Sequence, residues 1–404
     1  MSIESAAVHL AEHLREKEYV EIYGHHDADG IAAASIMVHA LIREEIQVRL
    51  RILPHICPCD ISSGNATVLC DFGSGSSDLP DDVMVIDHHI PRFEGEFHVN
   101  PRLEGIDGEH ELSVSGAAYV VAQHIGDNRD LAGLALLGMI GDRQSIKGQN
   151  QDIVNEGIAN NFITPGNGIP LFGRDLHEQL FTALNPMLHG IAGEEESVES
   201  LISSYTIRNE TDVGRLLTDV ILKISPYHNA DSMLSLWGDT WHLERGAVKD
   251  AHSLAGIVEG CGKSGKGILG AALCLRSHEY LDEAWETARA YRLRVIEAAR
   301  HAHPLKNNPL IYEIADANAI SGVADAVSFD GLLHHPVAVM APQGDSYSVS
   351  ARCPQGVEKD LAAILSNLAI ECGGTGGGHY SRGGAKIPRD KIECFTSGFL
   401  EACA

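Results

Sequence analysis

The apolar positions of the first 145 residues fall into short runs, and each run stops at acids or imidazoles. In "VMVIDHHIP" the residues Val83, Met84, Val85 and Ile86 show no polar alternation, the pattern of a strand buried on both faces of a parallel sheet, and Asp87, His88 and His89 follow at once. "YVEIYGHHDADGIAAASIMVHALI" predicts a strand through Tyr23, a polar loop and an Ala- and Ile-rich helix opening near Gly30. "NATVLCDFGSGSSD" predicts a second strand that delivers Asp71 into a Gly/Ser loop, and "SVSGAAYVVAQHI" and "LAGLALLGMIGDRQ" predict packed small-residue helices, the latter ending at Gly141 and Asp142. Strands alternating with helices imply a doubly wound parallel sheet, whose ligands sit beyond the carboxyl ends of the strands. All of these acids fall on that edge.

The pattern changes after residue 150. "FITPGNGIPLFGRD" predicts loops, while "GIAGEEESVESLISSY" and "VGRLLTDVILKI" have helical spacing with acidic faces, so residues 150–245 are expected to form a helical insertion without chemistry of its own. "EYLDEAWETARAYRLRVIEAARHAH" predicts a long helix that ends before "PLKNNP". Strand signals resume in "PVAVMAP" and "YSVSARC", and "GGTGGGHYSRGGAKIP" predicts a glycine-rich loop. The expected fold is α/β: a doubly wound parallel-sheet domain over residues 1–275 with the insertion at 150–245, a connector helix over 276–306, and a small C-terminal α/β domain over 307–404.

At 404 residues the chain suits two or three domains. No apolar run reaches the length of a bilayer-spanning helix, and the acidic N-terminus lacks the apolar stretch of a signal peptide, so a cytoplasmic protein without membrane contact is expected. The nine cysteines read as reduced thiols, and Cys57 and Cys59 of "CPC", with no partner pair at zinc spacing, read as structural. A net charge of −26 repels polyanions at long range, which excludes a duplex-coating protein unless basic residues gather locally. Arg382, Lys386, Arg389 and Lys391 do gather near the glycine-rich segment.

The strand-end donors are His25, His26, Asp27, Asp29, Asp71, Asp87, His88, His89 and Asp142. Carboxylates and imidazoles without a thiolate suit a hard to intermediate divalent ion, Mn²⁺ above all, or Mg²⁺. So many donors exceed the needs of one ion. Two ions about 3.5–4 Å apart, sharing a carboxylate, are a common device for cleaving phosphodiesters. Two further patterns do not carry chemistry. "GCGKSGKG" has P-loop spacing from Gly260 to Lys266, but Gly267 stands where Ser or Thr is required and no strand precedes it. His334 and His335 of "GLLHHPVAV" start a strand instead of ending one and read as structural.

"HHDADG", "LCDFGS", "IDHH" and "IGDR" resemble the four ordered motifs of the DHH phosphoesterases, and "GGTGGGHYSRGGAKIP" resembles the signature of their DHH-associated C-terminal domain. "HVNPRLEGIDGEHELSVSGAAYVVA" and "GCGKSGKGILGAALCL" are similar to the archaeal RecJ-like branch, which includes the GINS-associated nuclease. The resemblance implies that His25, Asp27 and Asp71 hold one metal ion and that Asp29, Asp71, His88 and Asp142 hold the other, with Asp71 bridging. It implies that His89 contacts the scissile phosphate, that Asp87 orients an imidazole, and that Arg352, Gly376, Gly377, Gly378 and His379 clamp substrate, with Lys263 as a further phosphate contact. Glycines there let backbone N–H groups approach a phosphate. The implied activity is a RecJ-like exonuclease acting on single-stranded DNA or RNA. The rivals are a phosphodiesterase for short oligoribonucleotides or small nucleotides, a silent replisome scaffold that binds a GINS-like partner, and an inorganic pyrophosphatase.

Overall fold

The structure, a computed structural model, describes residues 2–61, 64–76, 79–80, 82–207, 209–329 and 332–403. It divides into two compact units, Met1–Gly168 with Asp239–Arg289, and Ile169–Gly238 with Ala290–Ala404.

The first unit opens with α1 (Ile3–Arg15), β1 (Tyr19–His25), α2 (Ala28–Arg43), β2 (Gln47–Leu53), β3 (Ala66–Cys70), β4 (Val83–Ile86) and β5 (His98–Val99). Helices α3 (Val114–Ile125), α4 (Ala132–Gly141) and α5 (Gly148–Ala159) follow, then β6 (Ile163–Gly168). The five strands β1 to β5 form one sheet in the order β2-β1-β3-β4-β5, every ladder parallel. In this order the winding reverses between β1 and β3, and a doubly wound sheet leaves a crevice outside the carboxyl ends of the strands at such a switch point. His25 ends β1 and Asp71 follows β3.

Local chemistry sets these elements. The side chain of Asp27 accepts the Gly30 N–H at 3.0 Å, capping α2 at its start. Small residues then let α2 lie close to the sheet: a Cβ on Gly24 would come within 2.8 Å of Ala34 Cβ. All four residues of β4 are buried, as the unbroken apolar run requires.

The second unit takes α6 (Leu176–Phe181), α7 (Glu195–Ser203), α8 (Glu210–Ile224) and α9 (Ala230–Leu234). The chain returns to the first unit through β7 (Gly238–Leu243), which pairs with β6, and through α10 (Ala251–Lys263) and α11 (Gly267–Cys274). Helix α12 (Leu281–Arg300) belongs to the first unit up to Arg289 and to the second from Ala290. Then come β8 (His303–Leu305), β9 (Asn308–Glu313), α13 (Ile320–Phe329), β10 (Val337–Gln343), β11 (Ser346–Arg352), α14 (Leu361–Glu371), β12 (Thr375–Gly378), β13 (Arg382–Pro388) and α15 (Ile392–Cys403). Strands β8 to β13 form a six-stranded mixed sheet in the order β12-β13-β11-β10-β9-β8.

Two expectations differ from this architecture. Of residues 150–245, expected as a helical insertion of the first domain, residues 169–238 fall in the second unit. Leu216, Leu217, Val220 and Ile224 of α8 share one apolar cluster with Ile296, Val323, Val339 and Ala341, so this helix completes the core of the second unit. The glycine-rich segment is not a loop but the hairpin β12–β13. Its glycines admit α14: a Cβ on Gly376 would lie 2.7 Å from Leu365 O, and one on Gly383 would lie 2.6 Å from Leu365 Cδ1. Among the described residues, no helix is long and apolar enough to cross a membrane.

Candidate metal centre

Four segments bring their donors to the carboxyl edge of the first sheet. Ligand atoms of His25, Asp27 and Asp71 lie within 4.8 Å of one another, and so do those of Asp29, His88 and Asp142. Asp71 faces both groups. Its Oδ2 is 3.0 Å from His25 Nδ1, while its Oδ1 is 3.4 Å from His88 Nε2 and has no hydrogen-bond partner among the described residues. His25 Nδ1 is also 2.6 Å from Asp27 Oδ2, and His88 Nε2 is 3.5 Å from Asp142 Oδ2.

The backbone is bent to achieve this. Asp71 has a φ of +67°, in the left-handed region that few non-glycine residues enter. Such a conformation costs about 1 kcal/mol and tends to collect at functional sites.

Asp29 sits in the first turn of α2, fully buried, and both of its oxygens accept backbone N–H groups at the start of α3, Val114 at 2.8 Å and Ser115 at 2.9 Å. The positive end of α3 favours its charge. Burial nevertheless dominates, and with the nearby Asp142 carboxylate it pushes Asp29 up to about 8. Gly138 of α4 is glycine for this reason: a Cβ there would lie 2.1 Å from Asp29 Oδ1.

Burial also pushes Asp71 well above the usual carboxylate range, with repulsion from Asp27, Asp29 and Asp142 adding to it. For Asp27 burial works against ionisation, but His25 and the Lys263 ammonium outweigh it and hold the carboxyl low. Several buried carboxylates that cannot all ionise together form a donor set in want of a cation, which fits divalent metal.

Asp87 plays a different part. Its Oδ1 accepts from His88 N at 2.8 Å, His89 N at 3.2 Å and His89 Nδ1 at 2.6 Å, and its Oδ2 accepts from Ser74 N at 2.9 Å. Burial opposes its ionisation, yet His89 and these N–H groups keep its carboxyl far below the usual range. The imidazole it orients is His89. Burial works against protonation of His89, but the Asp87 carboxylate outweighs it and raises its pKa.

His26, without an expected role, accepts from Lys263 Nζ at 3.3 Å. Burial, then Lys263 and His25, push it down to about 2, so it is a neutral acceptor that holds the lysine. Helix α10 docks here: Glu259 accepts the Ala28 N–H at 2.8 Å, and a Cβ on Gly262 would lie 1.7 Å from His26 O. The "GCGKSGKG" glycine thus serves close packing.

In the second unit Arg352 is tied to its own protein. It donates to Asp325 Oδ1 at 2.6 Å, Ser321 Oγ at 3.0 Å, Ser350 Oγ at 2.9 Å and Ala351 O at 2.9 Å. A phosphate would have to share or exchange these partners. Gly376 is packed, and a Cβ on Gly378 would lie 2.4 Å from Arg382 O, whereas Gly377 has open space around it. His379 N–H donates to Arg382 O at 2.7 Å, closing the hairpin turn. His334 and His335 are exposed ahead of β10. Cys57 and Cys59 are exposed and lie with Asp60 in a separate group of possible ligands.

Sequence reasoning gave no role to Ser74, His98, Asn100, Arg102 or Gln144. Ser74 Oγ is 2.7 Å from His98 Nε2 and accepts from Asn100 Nδ2 at 2.9 Å. Gln144 Nε2 lies 3.3 Å from His88 Nδ1 and donates to Gly108 O at 2.9 Å. For His98, Asn100 and Arg102 the available signal was "HVNPR", which sets two polar side chains directly after a short strand.

Residues 19–139 match the DHH family, N-terminal domain, and residues 307–404 match the DHHA1 domain. The chain belongs to the DHH family. It is 26% identical to an uncharacterised protein of Methanocaldococcus jannaschii, over 93% of this chain and 91% of that one. Its fold is similar to that of CDC45 from Entamoeba histolytica, with a TM-score of 0.67, 12% identity and 99% of both chains covered. It is also similar to RecJ from Thermus thermophilus in complex with Mn²⁺, with a TM-score of 0.60, 15% identity, 99% of this chain and 54% of that one covered. The DHH chain therefore has a RecJ-like fold and is related to phosphoesterases.

Proposed function

We propose that this DHH protein is a metal-dependent phosphodiesterase that degrades single-stranded nucleic acid from an end, with two divalent ions held at the β1/β3 switch point. The observation that carries this reading is the two-faced Asp71, one carboxylate oxygen toward His25 and Asp27 and the other toward His88 and the Asp29/Asp142 side. In this reading His25, Asp27 and Asp71 hold one ion and Asp29, Asp71, His88 and Asp142 hold the other. The Mn²⁺ bound by the RecJ of similar fold supports manganese as the native ion. Bound metal would supply Lewis-acid activation of water and charge neutralisation at the phosphorus.

The protein's own groups do the rest. His89, its Nδ1–H fixed on Asp87 and its pKa raised, presents Nε2–H as a donor to a phosphoryl oxygen. Lys263, held by His26, adds a second positive group for the phosphate. In the second unit, Lys386, Arg389 and Lys391 are exposed on β13 and the turn after it, a local cationic surface on an acidic protein, suited to a polyanionic strand. That surface favours nucleic acid over pyrophosphate.

The test is hydrolysis of end-labelled single-stranded DNA and RNA ladders, from dinucleotides to long oligomers, with Mn²⁺ and with EDTA. Mn²⁺-dependent shortening of long strands is expected. Cleavage confined to the shortest species would reassign the protein to small-nucleotide hydrolysis. No cleavage of any species would favour a non-catalytic role, one compatible with the CDC45-like fold.

A further inference from the structure

Besides the N–H groups that donate to Asp87, each histidine of the "DHH" segment has a neighbour at its ring and a side-chain donor on its main-chain carbonyl. The ring of His89 is held by Asp87, at 2.6 Å, and its carbonyl accepts from Asn100 Nδ2 at 2.9 Å. The ring of His88 lies 3.3 Å from Gln144 Nε2, and its carbonyl accepts from Arg102 Nε at 2.7 Å. Both carbonyl anchors come from one short segment after β5. That segment is itself locked: Asn100 Oδ1 accepts the Arg102 N–H at 2.9 Å, and Asn100 Nδ2 also donates to Ser74 Oγ at 2.9 Å. Ser74 in turn gives its N–H to Asp87 at 2.9 Å. The approach is tight, since a Cβ on Gly108 would lie 2.6 Å from His88 O.

We infer that Asn100 and Arg102 are positioning residues that set the aim of His88 and His89 by clamping their main-chain carbonyls. The inference rests on the proposed metal-dependent reading of the same site. A peptide carbonyl fixed by a charged donor resists rotation about the adjacent φ and ψ, and an imidazole set wrong by about 1 Å loses much of its value as a ligand or donor. Arg102 is suited to this because its guanidinium reaches His88 O through Nε while Nη2 lies 3.6 Å from Glu109 Oε1. Outer partners of this kind typically change metal affinity or activity about 10–100-fold when removed.

The experiment compares the full-length protein with Arg102→Met, which keeps an apolar stem without a donor, Arg102→Lys, which restores one donor, and Asn100→Ala. Three quantities are read for each: the thermal midpoint in EDTA, Mn²⁺ affinity by titration calorimetry, and kcat with KM for a single-stranded substrate. The expected result is Mn²⁺ affinity and kcat down about 10–100-fold in Arg102→Met, largely recovered in Arg102→Lys, with KM and the EDTA midpoint near wild type. If Asn100→Ala fails to fold, the Met/Lys pair still decides. Losses that follow the EDTA midpoint, or Arg102→Met with wild-type Mn²⁺ affinity and kcat, would overturn the clamp. A wild-type protein that binds Mn²⁺ but cleaves nothing would overturn the functional reading alone, because the affinity comparison still reads the clamp.

Discussion

At the scale of single residues, Asp71 concentrates the conflict between stability and function. It combines a left-handed φ of +67° with burial and with carboxylates on either side. Asparagine accepts that backbone conformation as readily as aspartate, keeps the shape, and removes the charge. The sign follows from the raised pKa: the folded, metal-free protein holds a proton that the unfolded chain releases near its ordinary value, so Asp71 destabilises the fold increasingly as pH rises above that value. Asp71→Asn is therefore expected to abolish Mn²⁺-dependent hydrolysis and yet stabilise the protein in EDTA at pH 8, by about 1–2 kcal/mol. Urea unfolding in EDTA checks this. A less stable Asn variant would mean that the carboxylate is structurally satisfied and that the site is not a metal cradle.

At the scale of elements, adjacent glycines of β12 are expected to behave differently. A Cβ on Gly376 would meet Leu365 O at 2.7 Å and Ala369 Cβ at 3.1 Å, so Gly376→Ala must push α14 away and should cost about 1–3 kcal/mol. A Cβ on Gly377 meets nothing within 4 Å, so Gly377→Ala should leave the thermal midpoint within error and, on the proposed reading, raise KM. Equal melting of the two variants would refute this division of the hairpin. The hairpin also marks where the sequence was hard to read. Consecutive glycines carry no side-chain period, so a strand made of them looks like a loop until α14 and β11 are placed against it. Strand β4 was legible because its unbroken apolar run ends in charged residues, β1 and β3 because largely apolar runs, broken only by Glu21 and Thr67, end likewise, and α2 because Asp27 and Gly30 mark its start. The DHH donors were legible for the same reason. Ser74, Asn100, Arg102 and Gln144 were not, because their importance lies in what they hold, and a hydrogen bond to a carbonyl 14 residues away leaves no periodic trace. The assignment of α8 to the second core was hidden likewise: its apolar face was evident, its partners were not.

At the scale of the whole molecule, proton and metal binding should be linked. Asp29, pushed up to about 8 by burial and by Asp142, keeps its proton in the metal-free fold across the range in which an unfolded aspartate has lost it, between about 4 and 8. The metal-free protein is accordingly expected to lose stability as pH rises through that window. Mn²⁺ must displace the same proton, so its affinity should rise with pH, and each proton displaced contributes about 1.4 kcal/mol of binding per pH unit. The increment in thermal midpoint between saturating Mn²⁺ and EDTA should then be larger at pH 8 than at pH 6. Divalent charge also relieves part of the repulsion in a chain of net charge −26, but that general effect is screened by salt while displacement of a buried proton is not. Repeating the measurement at low and high NaCl separates them. An increment that grows with pH at both salt concentrations locates the effect in the buried carboxylates, and one that is flat with pH would show that metal binding displaces no proton, overturning the linkage to Asp29.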